Sequence, residues 1–175
     1  MPDKSKSNLA DIKMLIMDVD GVLSDGSIII NADGTESKKF NVHDGHGIRM
    51  WHRAGLTSAV ISGRDTNATA IRAEQLGIGH ILQGCKKKVP AFESLLEETG
   101  LVAEQTAYVG DDLMDLPLVK RAGCGVAVAD AVDELKQAAD YITSRDGGDG
   151  AVREVIEYIL KNTNRWNKLM ERYLV

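Results

Sequence analysis

The sequence has 175 residues, of which 43% are hydrophobic, and its formal net charge is −5. A chain of this size buries roughly 70% of its unfolded surface, so we expect a single domain spanning residues 1–175. The acidic balance disfavours nucleic acid and anionic membrane surfaces as partners. Cys85 and Cys124 match no zinc spacing, and we find neither a signal peptide nor a run near 18 apolar residues, so the expected location is the cytoplasm.

Short apolar runs that are typical of β-strands alternate with helical patterns along the chain. This alternation predicts an α/β fold with a doubly wound, Rossmann-like parallel sheet. Predicted strands lie at residues 14–17, 58–61, 81–82 and 107–109, with edge strands at 126–128 and 141–142. Helical spacing predicts one helix that ends near Gly100 and another across residues 152–160.

One segment, at about residues 25–41, interrupts this alternation of strands and helices directly after the first strand. Extended runs at 27–30 and 37–40 flank the turn-forming residues 31–34, which predicts a β-hairpin. Its position places the hairpin over or beside the carboxyl edge of the sheet, where ligands of open α/β sheets bind. The hairpin is too small to be a cap domain.

The C-terminal tail, at about residues 161–175, also has apolar residues at helical spacing. Two interpretations are open: a helix packed on its own domain, or a docking element for another subunit.

Polar residues follow the strongest predicted strands. Because the carboxyl ends of parallel strands share one edge of the sheet, these residues are expected to converge. They are Asp18 and Asp20 after the first strand, Ser62, Gly63 and Arg64 after the second, Lys88 at the start of a helix, and Asp111 and Asp112 after the fourth strand.

This set of groups suits the hydrolysis of a phosphomonoester. Asp18 and Asp111, with the backbone carbonyl of Asp20, are the predicted ligands of Mg²⁺, which neutralises the phosphate charge. Lys88 and the Ser62 hydroxyl are predicted to hold phosphoryl oxygens. Asp18 would act as the nucleophile that forms an aspartyl-phosphate, and Asp20 as the acid and then the base.

The motifs DVDGVLSDG, KKFNVHDGHGI, ISGRD, YVGDDLMDLP, VAVADA and GGDGAVREV, which span roughly residues 12–158, resemble the haloacid dehalogenase-type phosphatases. The resemblance is closest to the capless subgroup that hydrolyses 3-deoxy-D-manno-octulosonate 8-phosphate in lipopolysaccharide precursor biosynthesis. It implies Mg²⁺ dependence and a homotetramer in which the inserted hairpins meet at the centre. A segment of a neighbouring subunit would help to close each active site.

The resemblance also assigns roles to individual residues. Among three consecutive lysines, its register selects Lys88 as the phosphate ligand. Asp112 and Asp115 are expected not to bind the metal themselves but to hold its ligands in position. The implied substrate contacts are Arg64, Arg72, Asp44, Gly45 and His46, since an arginine can hold the carboxylate of a sugar acid through two hydrogen bonds.

Several alternatives remain open at this point. His43, Asp44 and His46 could suggest a transition-metal site, but a loop or a substrate-contact role is favoured. Arg153 either pairs with a carboxylate on its own helix or projects towards substrate. The substrate could instead be a related nine-carbon sugar acid phosphate. A signalling receiver domain is disfavoured. Its phosphate-accepting aspartate would follow the third strand and an acidic pair the first, whereas here the middle strand ends in Ser62-Gly63-Arg64 and the first in Asp-x-Asp.

Overall fold

Six parallel strands form the central sheet, in the order β5-β4-β1-β6-β7-β8. The computed structural model describes residues 8–174. The strands are β1 (Met14–Met17), β2 (Ile29–Ile30), β3 (Glu36–Ser37), β4 (Thr57–Ile61), β5 (His80–Leu82), β6 (Thr106–Gly110), β7 (Cys124–Ala127) and β8 (Tyr141–Ile142). The helices are α1 (Val42–Arg53), α2 (Asn67–Leu76), α3 (Lys88–Thr99), α4 (Leu116–Arg121), α5 (Asp133–Ala138), α6 (Ala151–Asn162) and α7 (Trp166–Met170).

The chain runs outward from β1 to β5 and then returns to β6 on the other side of β1. Right-handed crossovers therefore place α1 and α2 on one face of the sheet and α3, α4 and α5 on the other. Helix α6 packs against α1. The predicted doubly wound α/β fold is confirmed, and the direction of winding reverses between β1 and β6. A ligand-binding crevice is expected at such a reversal.

The central strands β1 and β6 are buried along their whole length, as expected where helices cover both faces of a sheet. Their register fixes the ends of the strands relative to one another. Met17, the last residue of β1, pairs with Val60 of β4 and Val109 of β6. The residues that follow these strands therefore begin at the same level of the sheet.

The predicted hairpin is confirmed, although its strands are only two residues long. Antiparallel pairing joins Ile29 to Ser37 and Ile30 to Glu36, and a bridge between Ser24 and Phe40 closes its base. The hairpin lies between β1 and α1.

Two predictions about individual elements are wrong. The strand near residue 126 is not at an edge, because β8 pairs with its outer side. The segment with His43, Asp44 and His46 is not a loop but the first half of α1. Its two glycines hid the helix from sequence reasoning; a Cβ on Gly47 would lie 3.3 Å from the Cα of Arg153, so a small residue is needed for α1 to pack closely on α6.

Of the two interpretations of the C-terminal tail, the structure shows packing on its own domain. Leu169 of α7 is buried in the core, and α7 contacts α6. The predicted absence of a signal peptide concerns residues 1–7, which lie outside the described residues. Within residues 8–174, the helices are too short or too polar to cross a membrane.

Candidate active site

The loop after β1 lies directly against the loop after β6. Asp18 continues the strand pairing, since its N–H donates to the carbonyl oxygen of Val109 at 3.0 Å. Gly21 has φ +82°, and a Cβ at this position would lie 2.1 Å from Oδ2 of Asp111. Only glycine combines that backbone conformation with so close an approach. The carboxyl group of Asp111 therefore lies against the backbone of the Asp18 loop.

Lys88, the first residue of α3, is a buried cation between two carboxylates. Its side chain is 2% exposed, and Nζ lies 2.7 Å from Oδ2 of Asp18 and 2.6 Å from Oδ1 of Asp115. Burial lowers the pKa of Lys88, but the attraction of Asp18 and Asp115 outweighs it and the net shift is upward. The ammonium group therefore stays charged at neutral pH.

Asp115 connects this lysine to the loop after β6. Its Oδ1 accepts from Nζ of Lys88 and from the Tyr108 hydroxyl, both at 2.6 Å. Its Oδ2 accepts from the N–H groups of Asp111 and Asp112, at 3.0 and 3.3 Å. Burial, followed by the charge of Asp115, raises the pKa of Tyr108 well above its usual value. Four donors thus occupy the Asp115 carboxylate, which holds Lys88 and the loop in place.

Three carboxylates cluster at this edge of the sheet in a way that fits a divalent cation. Oxygens of Asp18, Asp111 and Asp115 lie within 4.8 Å of one another. In the described part of the chain, the buried Oδ1 of Asp111 has no hydrogen-bond partner. Burial, and then repulsion by Asp18 and Asp115, raises the pKa of Asp111 to about 8; burial and Asp115 raise that of Asp18 to about 6. A hard cation would relieve this repulsion and give the free oxygen a partner.

These groups line one cavity of about 280 Å³ at the carboxyl edge of the sheet. Ser62, which is buried there, accepts a hydrogen bond from the N–H of Arg64 at 3.2 Å, so its hydroxyl proton is free to point elsewhere. The lining residues are Asp18, Asp20, Gly26, Ser62, Gly63, Arg64, Lys88, Asp111, Asp112 and Met114.

Comparison with known proteins identifies the family. A family model described as haloacid dehalogenase-like hydrolase matches residues 58–156. The 3-deoxy-D-manno-octulosonate 8-phosphate phosphatase KdsC of Escherichia coli strain K12 is 48% identical over 150 residues, which is 86% of this chain and 80% of that protein. The chain belongs to the haloacid dehalogenase-like hydrolases.

Solved structures of relatives have the same fold as this hydrolase. The structure of 3-deoxy-D-manno-octulosonate 8-phosphate phosphatase from Moraxella catarrhalis, in complex with magnesium ion, phosphate ion and a KDO molecule, gives a TM-score of 0.93. Its sequence identity is 41%, with 99% of both chains covered. The phosphatase of the same name from Yersinia pestis gives a TM-score of 0.90 at 44% identity, covering 94% of this chain and 89% of that one.

The hydrolase brings most of its predicted site residues together. Eight of them line the cavity of about 280 Å³ at the carboxyl edge of the sheet, which we call the catalytic cavity. Asp115 does not line this cavity but contacts Lys88, which does. Of the three consecutive lysines, Lys86 and Lys87 are exposed, and Lys88 is buried and lines the cavity, as the sequence predicts. The eight residues are Asp18, Asp20, Ser62, Gly63, Arg64, Lys88, Asp111 and Asp112.

Three predicted substrate contacts lie elsewhere. Gly45, His46 and Arg72 line a second cavity of about 440 Å³ between α1 and α2. The Arg72 guanidinium lies 5.8 Å from the ring centroid of Phe40, and within the described residues its buried Nε has no hydrogen-bond partner. His46 is within 3.1 Å of the Tyr173 hydroxyl. These residues are not part of the catalytic cavity of their own chain.

Asp44 has a structural contact that the sequence did not predict. Its two carboxylate oxygens accept from the N–H groups of Gly150, at 3.2 Å, and Arg153, at 2.8 Å, at the start of α6. A carboxylate is favoured at the N-terminus of a helix, where it satisfies free N–H groups. The partners are more than a hundred positions apart in sequence, so no local pattern could show this contact. The Arg153 side chain pairs with Glu157 at 2.6 Å, which is the first of its two alternatives.

A second set of contacts that the sequence did not predict lies on the hairpin. Lys38 contacts Oδ1 of Asp20 and lies 3.2 Å from Oε1 of Glu36. Glu36 also pairs with Arg64 at 2.6 Å, and this hydrogen bond lowers the pKa of Glu36. The signal that could have revealed it is the spacing of Glu36 and Lys38, which places both on one face of an extended strand.

Proposed function

We propose that this chain is a Mg²⁺-dependent phosphatase that hydrolyses 3-deoxy-D-manno-octulosonate 8-phosphate to the free sugar acid and inorganic phosphate. We place the reaction in lipopolysaccharide precursor biosynthesis in the cytoplasm. The substrate is the one that the names of its relatives give. The observation that carries the chemistry is the convergence of Asp18, Lys88 and Asp111 on one cavity.

The first requirement of the reaction is to neutralise the charge of the phosphate group. The Asp18 and Asp111 carboxylates and the backbone carbonyl of Asp20 would hold Mg²⁺, which supplies positive charge beside the phosphoryl oxygens. Lys88 binds a further phosphoryl oxygen. The Ser62 hydroxyl and the backbone at Gly63 donate hydrogen bonds to the rest, with Asp112 and Asp115 supporting the loop that carries Asp111.

The phosphoryl group is then transferred in two steps. A carboxylate oxygen of Asp18 attacks phosphorus, the bond to the sugar oxygen breaks, and Asp20 gives its proton to that oxygen as it leaves. Water then attacks phosphorus, Asp20 accepts a proton from the water, and the bond between phosphorus and Asp18 breaks to release phosphate. A positioned acid and base contributes about 10²–10⁴-fold to such a reaction.

Substrate recognition needs more than one chain under this proposal. Arg64 lines the catalytic cavity and would face the sugar acid, whereas Arg72, Gly45 and His46 line a separate cavity of the same chain. We infer a homotetramer in which a neighbouring subunit brings such residues to the sugar. The exposed isoleucines of the hairpin, Ile28 and Ile30 at 53% and 73%, would form the contact between subunits.

The test is phosphate release from a panel of sugar acid phosphates, measured with Mg²⁺ and again after chelation. We expect the eight-carbon substrate to have the highest kcat/KM and the chelator to abolish turnover. A higher kcat/KM for the nine-carbon acid phosphate would overturn the substrate assignment and leave the reaction type standing.

The nucleophile is tested with Asp18→Asn, which keeps the side-chain volume. Removing a nucleophile costs about 10⁵-fold or more in kcat, and the circular dichroism spectrum should not change. Asp25→Asn, an exposed residue of the hairpin, is the matched control and should keep full activity. Substantial Mg²⁺-dependent turnover by Asp18→Asn would exclude the covalent route.

A further inference from the structure

Lys38 is the most deeply buried charged side chain of the hairpin. Its side chain is 0% exposed, although the three isoleucines of the same hairpin are 46–73% exposed. A buried ammonium group is costly unless carboxylates surround it. Lys38 meets this condition through contacts with Asp20 and Glu36. One of its two partners is therefore the residue that we assign as the acid and base of the reaction.

The hairpin has two chemically different faces. Side chains alternate along an extended segment, so Glu36 and Lys38 point to one side. Ser37 and Lys39 point to the other side. Lys39 is 71% exposed and pairs with Asp25 at 2.9 Å, away from the catalytic carboxylates. The inward face thus joins Asp20, Lys38, Glu36 and Arg64 in one chain of ion pairs.

We propose that Lys38 is a positioning residue that orients the Asp20 carboxyl group for proton transfer to the leaving group. This proposal rests on the proposed function and extends it to the hairpin. Oε1 of Glu36 lies 3.2 Å from Nζ of Lys38 as an ion pair without hydrogen-bond geometry, and Oε2 accepts a hydrogen bond from Arg64.

The chemistry of the contact decides which oxygen of Asp20 transfers the proton. An ammonium group has only donors, so Oδ1 of Asp20, which Lys38 contacts, serves as an acceptor. Oδ2 has no hydrogen bond to any residue between 8 and 174. The proton therefore passes from Oδ2 to the sugar oxygen as the electrons of the bond to phosphorus move onto that oxygen. Without Lys38, no donor would fix the plane of the Asp20 carboxyl group, so its O–H would no longer be held in line with the sugar oxygen.

Leaving-group chemistry separates this role from a purely structural one. The sugar leaves as an alkoxide, which needs a proton in the transition state, whereas p-nitrophenolate is stable as an anion. In a two-step reaction, kcat/KM reports only the steps up to formation of the aspartyl-phosphate, which is the step in which Asp20 acts as an acid. The ratio of kcat/KM for an alkyl and an aryl phosphate therefore measures the proton transfer.

The experiment compares Lys38→Met with Lys39→Met, its neighbour on the outward face, and with Lys38→Arg. The substrates are the sugar acid phosphate and p-nitrophenyl phosphate, both with Mg²⁺. We expect Lys38→Met to lose about 10²-fold in kcat/KM on the sugar phosphate and less than about 5-fold on the aryl phosphate. Lys39→Met should be unchanged on both, and Lys38→Arg should recover most of the loss because it restores a donor to Oδ1.

Asp20→Asn and the double variant Asp20→Asn, Lys38→Met complete the cycle. If Lys38 acts through Asp20, the double variant should be no worse than Asp20→Asn alone on the sugar phosphate. Equal losses on both substrates for Lys38→Met, or additive losses in the double variant, would overturn the proposal, since they would mean that Lys38 acts on the phosphoryl group or only on the fold.

A crystal structure of Lys38→Met provides a readout that does not depend on activity. We expect the Asp20 carboxyl group to rotate in Lys38→Met and to stay in place in Lys39→Met; an unmoved Asp20 would count against the positioning role. Failure of the proposed function is a different result, because it would appear as turnover by Asp18→Asn or as no phosphate release by the unmodified protein.

Discussion

Two regions that meet at the catalytic cavity are held together in different ways. At the sheet edge, Asp18 and Asp111 follow fully buried strands, and Lys88 begins a helix whose core face is buried. The hairpin has strands of two residues, exposed isoleucines, and one buried lysine that ties it to Asp20. The sheet edge is thus fixed by the core of the domain, and the hairpin by a few ion pairs.

Under the proposed function, this difference suits the two tasks of the site, which are to stabilise the charge of the phosphate and to protonate the leaving group. Groups that stabilise charge act best when they are fixed before the reaction, because no reorganisation is then needed. Asp115 provides that rigidity at the sheet edge, with four donors on one buried carboxylate. The hairpin contacts Asp20 and Arg64, which under the proposed function are the acid and a substrate contact, and ion pairs with Lys38 and Glu36 set their positions.

The largest effect on stability is expected from removing the buried cation of the sheet edge, Lys88. Lys88→Met leaves the buried carboxylates of Asp18 and Asp115 without their cation, which costs about 3–5 kcal/mol. The melting temperature should fall by about 10 °C, and activity should fall by about 10³-fold. Thermal unfolding and phosphate release measure the two effects.

Lys87→Met is the matched control, because Lys87 is exposed and is the immediate neighbour of Lys88. Its stability should change by less than about 0.5 kcal/mol. Equal destabilisation by both substitutions would show that the sheet edge is not held by the buried ion pairs.

A smaller effect is expected from Mg²⁺, and its size should depend on pH. The pKa of Asp111, about 8, lies above its ordinary value near 3.8, so this carboxyl stabilises the metal-free fold at low pH and the contribution is lost as the pH rises towards 8. Protons compete with the ion for Asp111 and for Asp18, whose pKa is about 6. Mg²⁺ should therefore raise the melting temperature more at pH 8 than at pH 6.

The expected shift at pH 8 is about 5–10 °C when Mg²⁺ is about 100-fold above its Kd. It is measured by thermal unfolding with Mg²⁺ or chelator at both pH values. Asp111→Asn removes the titrating ligand, so this variant should lose most of the shift and its dependence on pH. A shift of the same size at both pH values would contradict the cost of ionising these carboxylates.

The same division explains what the sequence could predict. Asp18 and Asp111 directly follow strong strands, so parallel pairing alone was enough to bring them together, whereas Lys88 was chosen among three lysines by the family resemblance. The hairpin was predicted from its turn, but the burial of Lys38 depends on Asp20, which is 18 positions away, and the contact of Asp44 with α6 spans 106 positions. Such contacts depend on tertiary packing and leave no periodic pattern in the sequence.

The smallest effect on the individual chain is expected at the outward face of the hairpin. Ile30 is 73% exposed, so Ile30→Lys should change the stability of the fold by less than about 0.5 kcal/mol. If the hairpins meet in a homotetramer, however, four lysines would be brought together at its centre. The mass measured by light scattering should then fall from that of a tetramer to that of a smaller species, and activity on the sugar phosphate should fall with it.

Val102→Lys is the control for a charge at another exposed apolar position, since Val102 is 55% exposed and lies before β6, at the opposite edge of the sheet. This variant should keep the mass of the unmodified protein. A tetramer that persists in Ile30→Lys would place the subunit contact elsewhere. The hairpin would then owe its position to the inward ion pairs alone, and its exposed isoleucines would have no part in assembly.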